Sequence, residues 1–109
     1  MTAGQLYAAG IVPGSTSSTD ENYTNGIAIG LGSQLIGNQS TVLGSYATAG
    51  ENAVAIGNGS GAAHLNATAV GQSSNAMGDG ATALGQHARA EVENATAIGF
   101  NSDVAFGGD

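Results

Sequence analysis

A short sequence repeat runs through most of this 109-residue chain and constrains its fold more than any other feature. Each unit contains a short apolar or threonine-containing run that ends at a glycine. A small residue follows three positions after each glycine, and an apolar residue follows two positions later, as at Ser60 and Ala62. Six units that agree at these positions indicate a repeat architecture rather than compositional bias. The predicted turn glycines are Gly30, Gly44, Gly57, Gly71, Gly85 and Gly99, so four of the five spacings between them are 14 residues and one is 13.

Each unit predicts two short strands and two turns. Runs such as Val54-Ala55-Ile56 have the residue types of a strand, and the glycine that follows permits a positive φ at a turn. The triplet that starts at the small residue supplies a second strand, and a connection rich in Gly, Asn and acidic residues leads to the next unit. A unit of this length is too short for a helical hairpin but suits one coil of a β-solenoid, whose coils stack about 4.8 Å apart. We therefore predict an all-β, parallel β-roll with two short strands per 13–14-residue coil over residues 26–109, and an irregular N-terminal lead-in or cap over residues 1–25.

Composition limits how this chain can bury apolar surface and what it can bind. Leu, Ile, Val and Phe account for 20 of the 109 residues, and the net charge is −7. In a chain without repeats this composition would suggest disorder, so we expect small apolar residues to be stacked by repetition and shared between subunits. Arg89 is the single basic residue besides histidine, which argues against a nucleic-acid partner. There is no cysteine, so neither a disulfide nor a thiolate metal site is available. No apolar run is long enough to span a membrane. We predict no cofactor and no direct membrane insertion.

Alternation along the first strand of each unit divides its side chains between two faces. We predict that the larger aliphatic residues fill the interior of the roll and that the alanine-rich ladder between them meets a partner subunit. The predicted core ladder is Ile29, Leu43, Ile56, Val70, Leu84 and Ile98. The predicted interface ladder is Ala28, Val42, Ala55, Ala69, Ala83 and Ala97.

Two stretches, Ala53–Ser60 and Ala95–Ser102, carry a family resemblance. Each resembles the N-S-V-A-I-G-x-x-S head repeat of trimeric autotransporter adhesins, the YadA-like proteins of Gram-negative bacteria, and the likeness extends over residues 26–104. It implies a left-handed parallel β-roll that assembles as a homotrimer, which places the alanine ladder at a threefold axis. It also implies a non-enzymatic adhesin head, displayed on the bacterial cell surface by a stalk and an outer-membrane anchor outside this sequence. Its expected partners are host extracellular-matrix or cell-surface molecules.

The polar residues with catalytic or metal-binding chemistry do not form a recognisable site in the sequence. His64 and His87 are distant in sequence and occupy different positions of the repeat, and we expect exposed side chains, although a threefold axis could gather three copies around an ion. Glu91 and Glu93 flank Val92 without an evident catalytic partner. We therefore predict no catalytic residue and no metal ligand.

Two other functions fit part of the pattern. Thr68, Thr82 and Thr96 fall in register, as in the threonine ladders of ice-binding solenoids, although we expect their face to lie inside the roll. A left-handed β-helix acyltransferase is the enzymatic alternative. That fold has a hexapeptide periodicity, which this sequence lacks, and its chemistry needs a suitably placed histidine.

Overall fold

The computed structural model describes residues 26–105, so the lead-in predicted for residues 1–25 lies outside the described part, as do residues 106–109 of the predicted roll. This part of the chain contains short strands and turns but no helix, and therefore no helix that could span a membrane. The first strand of each coil has three residues and the second has two. The strands are β1 (Ile27–Ile29), β2 (Gln34–Leu35), β3 (Thr41–Leu43), β4 (Thr48–Ala49), β5 (Val54–Ile56), β6 (Gly61–Ala62), β7 (Thr68–Val70), β8 (Asn75–Ala76), β9 (Thr82–Leu84), β10 (Arg89–Ala90), β11 (Thr96–Ile98) and β12 (Asp103–Val104).

The strands form two six-stranded parallel sheets that face each other. One sheet has the order β1-β3-β5-β7-β9-β11, and the other has the order β2-β4-β6-β8-β10-β12. Equivalent residues of successive coils pair directly, as Ala55 does with Ala69 and Ala69 with Ala83. The coil that is one residue short keeps this register, because Val42 still pairs with Ala55. The prediction of an all-β solenoid with two short strands per coil is confirmed for the described residues.

The interior of the roll is thin and consists almost entirely of alanine and serine. Inward-pointing residues occupy the middle of each three-residue strand, the second position of each two-residue strand and the last position of each turn. Leu35 and Val42 are the largest of the fully or nearly fully buried side chains, at 4% and 0% exposure. The buried residues other than glycine are Ala28, Ser33, Leu35, Ser40, Val42, Ala47, Ala49, Ala53, Ala55, Ser60, Ala62, Ala67, Ala69, Ser74, Ala76, Ala81, Ala83, Ala88, Ala90, Ala95 and Ala97.

The predicted division of the two faces is wrong. The alanine ladder is buried inside the roll, where Ala55, Ala69 and Ala83 are 0% exposed, so it cannot form a subunit interface. The ladder predicted to be the core lies on the outside of the first sheet and is half-buried to exposed. Its members are Ile29, Leu43, Ile56, Val70, Leu84 and Ile98. The physical reason is the length of the turns: short turns, such as residues 57–60, join the two sheets and hold them too close for two facing layers of large side chains.

The six turn glycines have positive φ, between 119° and 140°, a region that L-residues rarely adopt. Five of them also lie against the next coil. A Cβ atom on Gly71, for example, would lie 2.7 Å from the carbonyl carbon of Gly85. Glycine is therefore needed at this position both for the turn and for the stacking of the coils.

Candidate functional site

The outer surface of the first sheet is the candidate functional site, and we call it the assembly face. Two outward ladders form it, one on each side of the buried alanine ladder. The first ladder ends each strand and consists of Ile29, Leu43, Ile56, Val70, Leu84 and Ile98. The second begins each strand and consists of Ile27, Thr41, Val54, Thr68, Thr82 and Thr96.

The assembly face carries eight aliphatic and four threonine side chains, which are partly or largely exposed along the whole described roll. Ile27, Leu43 and Ile98 are 48%, 36% and 65% exposed, and the aliphatic residues between them are partly exposed. Parallel pairing aligns these side chains about 4.8 Å apart, so they form a continuous strip rather than scattered residues. A contiguous apolar surface is uncommon on monomeric soluble proteins, which makes this strip a candidate site of association. The strip can pack against a partner. None of its side chains is an acid or a base, so it offers no group for acid–base catalysis.

The outer surface of the second sheet is polar. The side chains of its outward ladder belong to Gln34, Thr48, Gly61, Asn75, Arg89 and Asp103. The two outer surfaces of the roll therefore differ in chemistry, and burying the assembly face would leave this polar surface in water.

Three charged residues lie together at one end of the polar surface. Arg89 Nη2 donates a hydrogen bond to Glu91 Oε1 at 3.2 Å, and the carboxyl of Asp103 is near enough to that of Glu91 for a hydrogen bond between them when one is protonated. This hydrogen bond raises the pKa of Glu91 above 4.5, burial raises it further, and the Arg89 guanidinium opposes both effects. Glu93, the second member of the carboxylate pair singled out in the sequence, is an exposed turn residue.

The structure does not bring His64 and His87 together. His64 lies in the turn between β6 and β7, with Nδ1 3.8 Å from Oδ1 of Asp79. His87 lies in the turn between β9 and β10, on the opposite edge of the roll, and its ring meets Phe100 edge-on at 6.5 Å. Among residues 26–105, no three His, Asp or Glu side chains are placed to hold a metal ion.

Sequence reasoning missed the assembly face because it assigned the large aliphatic ladder to the core. A signal was present in the sequence. Alanine or serine occupies all four inward positions in three of the six coils, for example at Ala53, Ala55, Ser60 and Ala62, and at least two of them in the others. Four small residues per coil are enough to fill a thin interior, which leaves the larger residues to point outward.

Comparison with protein families agrees with the repeat geometry. The model of the YadA head domain repeat matches the chain twice, over residues 50–74 and 76–102. These two segments cover most of the roll from the end of β4 to the turn before β12. Neither the curated proteins nor the solved structures contain a significant match to this chain.

Proposed function

We propose that this chain, in which residues 50–102 carry YadA head domain repeats, is the adhesive head of a bacterial surface protein. Repeats of this family belong to adhesins rather than to enzymes. In the proposal, the roll is left-handed, three copies assemble as a homotrimer, and a segment outside this sequence anchors the trimer to the outer membrane. The head attaches to host extracellular-matrix or cell-surface molecules.

The exposed assembly face is the observation that supports this proposal. Its aliphatic ladder runs along all six coils, so parallel copies of the roll can pack side by side over their full length. Three copies around one axis cover all three strips at once. Such a trimer presents three identical polar surfaces and binds multivalently, which raises avidity without requiring a single strong pocket.

Sedimentation equilibrium tests the assembly. We expect the chain to sediment at three times its mass of 10.5 kDa. Ile56→Asp places a charge in the middle of the assembly face and should yield folded monomers, because an unpaired buried carboxylate is costly at an interface. Thr48→Asp adds the same charge on the polar sheet and is the matched control that should remain trimeric. A wild-type monomer, or an Ile56→Asp trimer as stable as the wild type, would contradict the proposed interface.

Adherence tests the function itself. Beads coated with the purified chain should bind immobilised extracellular-matrix components or cultured host cells. In solution, without beads, the wild-type trimer should bind about 10²-fold more tightly than the Ile56→Asp monomer, because only the trimer is multivalent. Wild-type protein that binds neither matrix nor cells would contradict the adhesive function while leaving the fold and the assembly unaffected.

One observation favours a second candidate, ice binding. The expectation that the threonine ladder lies inside the roll is wrong: Thr68, Thr82 and Thr96 point outward in register on neighbouring parallel strands. The bulky aliphatic ladder beside them makes the surface uneven, which disfavours a match to an ice plane. Thermal hysteresis of the wild-type protein, lost in Thr82→Leu, would establish this function, and its absence would exclude it.

A further inference from the structure

The roll has a groove that is not part of the assembly face. It has a volume of about 840 Å³ and is lined by Ser73, Asn75, His87, Arg89, Phe100, Asn101 and Asp103. It lies where the first turns of the last coils meet the outer surface of the second sheet. Asn75, Arg89 and Asp103 belong to the second sheet, on the opposite side of the roll from the assembly face. His87 and Phe100 lie in the turns between the two sheets. The second-sheet part of the groove therefore stays open when copies of the chain associate through the assembly face.

The backbone holds the lining side chains in fixed positions. Asn75, Arg89 and Asp103 are direct neighbours on the parallel strands β8, β10 and β12. Ser73, His87 and Asn101 occupy the same position of three successive turns, with φ values of 59°, 61° and 59°. Each of these three donates its backbone N–H to a carbonyl of the preceding coil, at 2.9 to 3.0 Å. The groove is therefore preorganised by the stacking of the coils, which lowers the entropic cost of binding a ligand.

The lining offers both donors and acceptors around one exposed aromatic ring. Arg89 donates hydrogen bonds, Asp103 accepts them, and the amides of Asn75 and Asn101 do both. Phe100 is 68% exposed, and its edge-on contact with His87 orients its ring. A ligand that fits has closely spaced hydroxyl groups on one side and an apolar C–H face on the other.

The local charge selects among ligands of this kind. Arg89 is already paired with Glu91, and Asp103 adds a second carboxylate, so the site carries a net negative charge near neutral pH. The chain as a whole has a charge of −7, which disfavours an anionic ligand further. A cation would have to displace the Arg89 guanidinium from its contact with Glu91, and the described residues place no three His, Asp or Glu side chains around a metal ion. An uncharged ligand remains.

We propose that this groove binds a neutral saccharide. The side chains of Asn75, Arg89 and Asp103 hydrogen-bond to its hydroxyl groups, and the ring of Phe100 packs against the C–H face of one sugar ring. Equivalent side chains about 4.8 Å apart match the dimensions of a pyranose ring, so neighbouring coils can contact neighbouring hydroxyls. The inference names a ligand class for the adhesive head proposed above and rests on that function for its biological role, though not for its chemistry.

Binding to immobilised oligosaccharides tests the inference. The 109-residue chain is applied to an array of neutral oligosaccharides built from hexoses and N-acetylhexosamines, and to the same set capped with sialic acid. We expect binding to a subset of the neutral glycans and weaker binding to their sialylated forms. Asp103→Ala and Phe100→Ala should each weaken binding about tenfold or more, as expected for loss of a charge-assisted hydrogen bond or an aromatic contact.

The first coil supplies matched controls. Gln34 lies on the same outward ladder as Asp103, and Leu31 follows its turn glycine as Phe100 does, with 62% exposure. Gln34→Ala and Leu31→Ala should therefore bind like the wild type. Phe100 is exposed in a turn, so Phe100→Ala keeps the test valid if Asp103→Ala fails to fold.

Separate outcomes decide the inference and the adhesive function. No binding to neutral glycans, a preference for the sialylated set, or binding that survives both groove variants would each overturn the inference. Adherence of the Phe100→Ala protein to host matrix, without glycan binding by any form, would leave the adhesin function standing and remove the saccharide site. Glycan binding that depends on the groove, without adherence to matrix or cells, would support the saccharide site and contradict the adhesive function.

Discussion

At the scale of single residues, the turn glycines combine two requirements that the structure separates. Gly71 and Gly99 have nearly the same backbone angle, with φ values of 128° and 119°. A Cβ on Gly71 would collide with the backbone of Gly85, whereas a Cβ on Gly99 would meet nothing within 4 Å. The pair therefore distinguishes the cost of an unfavourable φ from the cost of a steric clash.

We expect Gly99→Ala to lower the free energy of unfolding by about 1–3 kcal/mol, because only the backbone strain applies. Gly71→Ala should lower the free energy of unfolding by a further amount of about 1–3 kcal/mol, because the added methyl group also forces the next coil away. Urea denaturation of both variants measures the difference. Equal losses would mean that the close approach of the coils contributes nothing to the need for glycine.

The Glu91 carboxyl makes stability depend on pH. Its folded-state pKa is raised above 4.5, so the folded chain binds this proton more tightly than the unfolded chain does. The resulting stabilisation is complete below pH 4.5 and is lost as the pH rises through the raised value.

Glu91→Gln removes the titrating group and should therefore show a smaller loss of stability over this pH range than the wild type. The thermal unfolding temperature, followed from about pH 4 to about pH 8, measures the effect. Glu93→Gln removes an equal charge from the neighbouring turn and controls for net charge. Parallel curves for wild type and Glu91→Gln would exclude the Glu91–Asp103 interaction as a source of pH dependence.

At the scale of the strand, alternate residues face opposite environments although they adjoin in sequence. In β7, Ala69 is 0% exposed, while Thr68 and Val70 are partly exposed on the assembly face. The interior has room for one methyl group at this position, because short turns hold the facing sheet close. Substitutions on the two sides of the same strand should therefore differ sharply.

Ala69→Leu should destabilise the roll by about 3 kcal/mol or prevent folding, because the added atoms cannot be accommodated between the sheets. Val70→Leu adds a methylene to the outer surface and should change the free energy of unfolding by less than about 0.5 kcal/mol. Thermal or urea unfolding of the two variants provides the comparison, made on monomers carrying Ile56→Asp so that assembly does not contribute. A tolerated leucine at position 69 would contradict the thin core.

At the scale of the whole molecule, the roll is a one-dimensional stack in which strands contact only the strands of their own and neighbouring coils. Stability in such a stack is approximately a sum over coils and their interfaces. We therefore expect that chain length can change by whole coils without a change of fold.

Deletion of residues 72–85 removes one complete repeat unit and joins Gly71 to Gln86 in register. We expect this shorter chain to fold, with the β signature retained in circular dichroism and a lower unfolding temperature. Deletion of residues 72–78 removes half a unit, places strand residues in turns and should abolish the cooperative transition. Similar behaviour of the two deletions would argue against a coil-by-coil stack.

The sequence by itself determined the period, the two strands per coil, the position of the corners and the likeness to adhesin head repeats. These follow from local rules, because strand formers, positive-φ glycines and a constant spacing act within one unit. The sequence resemblance alone predicts the repeat family, and the family comparison over residues 50–74 and 76–102 agrees with it.

Only the tertiary structure decided which side of each strand is buried. Alternation assigns Ile56 and Ala55 to opposite faces but does not say which face is inside, because both are apolar. The distance between the two sheets resolves this, and that distance depends on how short turns close the coil. The parallel stacking of the coils places Asn75, Arg89 and Asp103, which belong to three successive coils, side by side in one groove. A site of this kind arises from the stacking of coils, and no single repeat contains it.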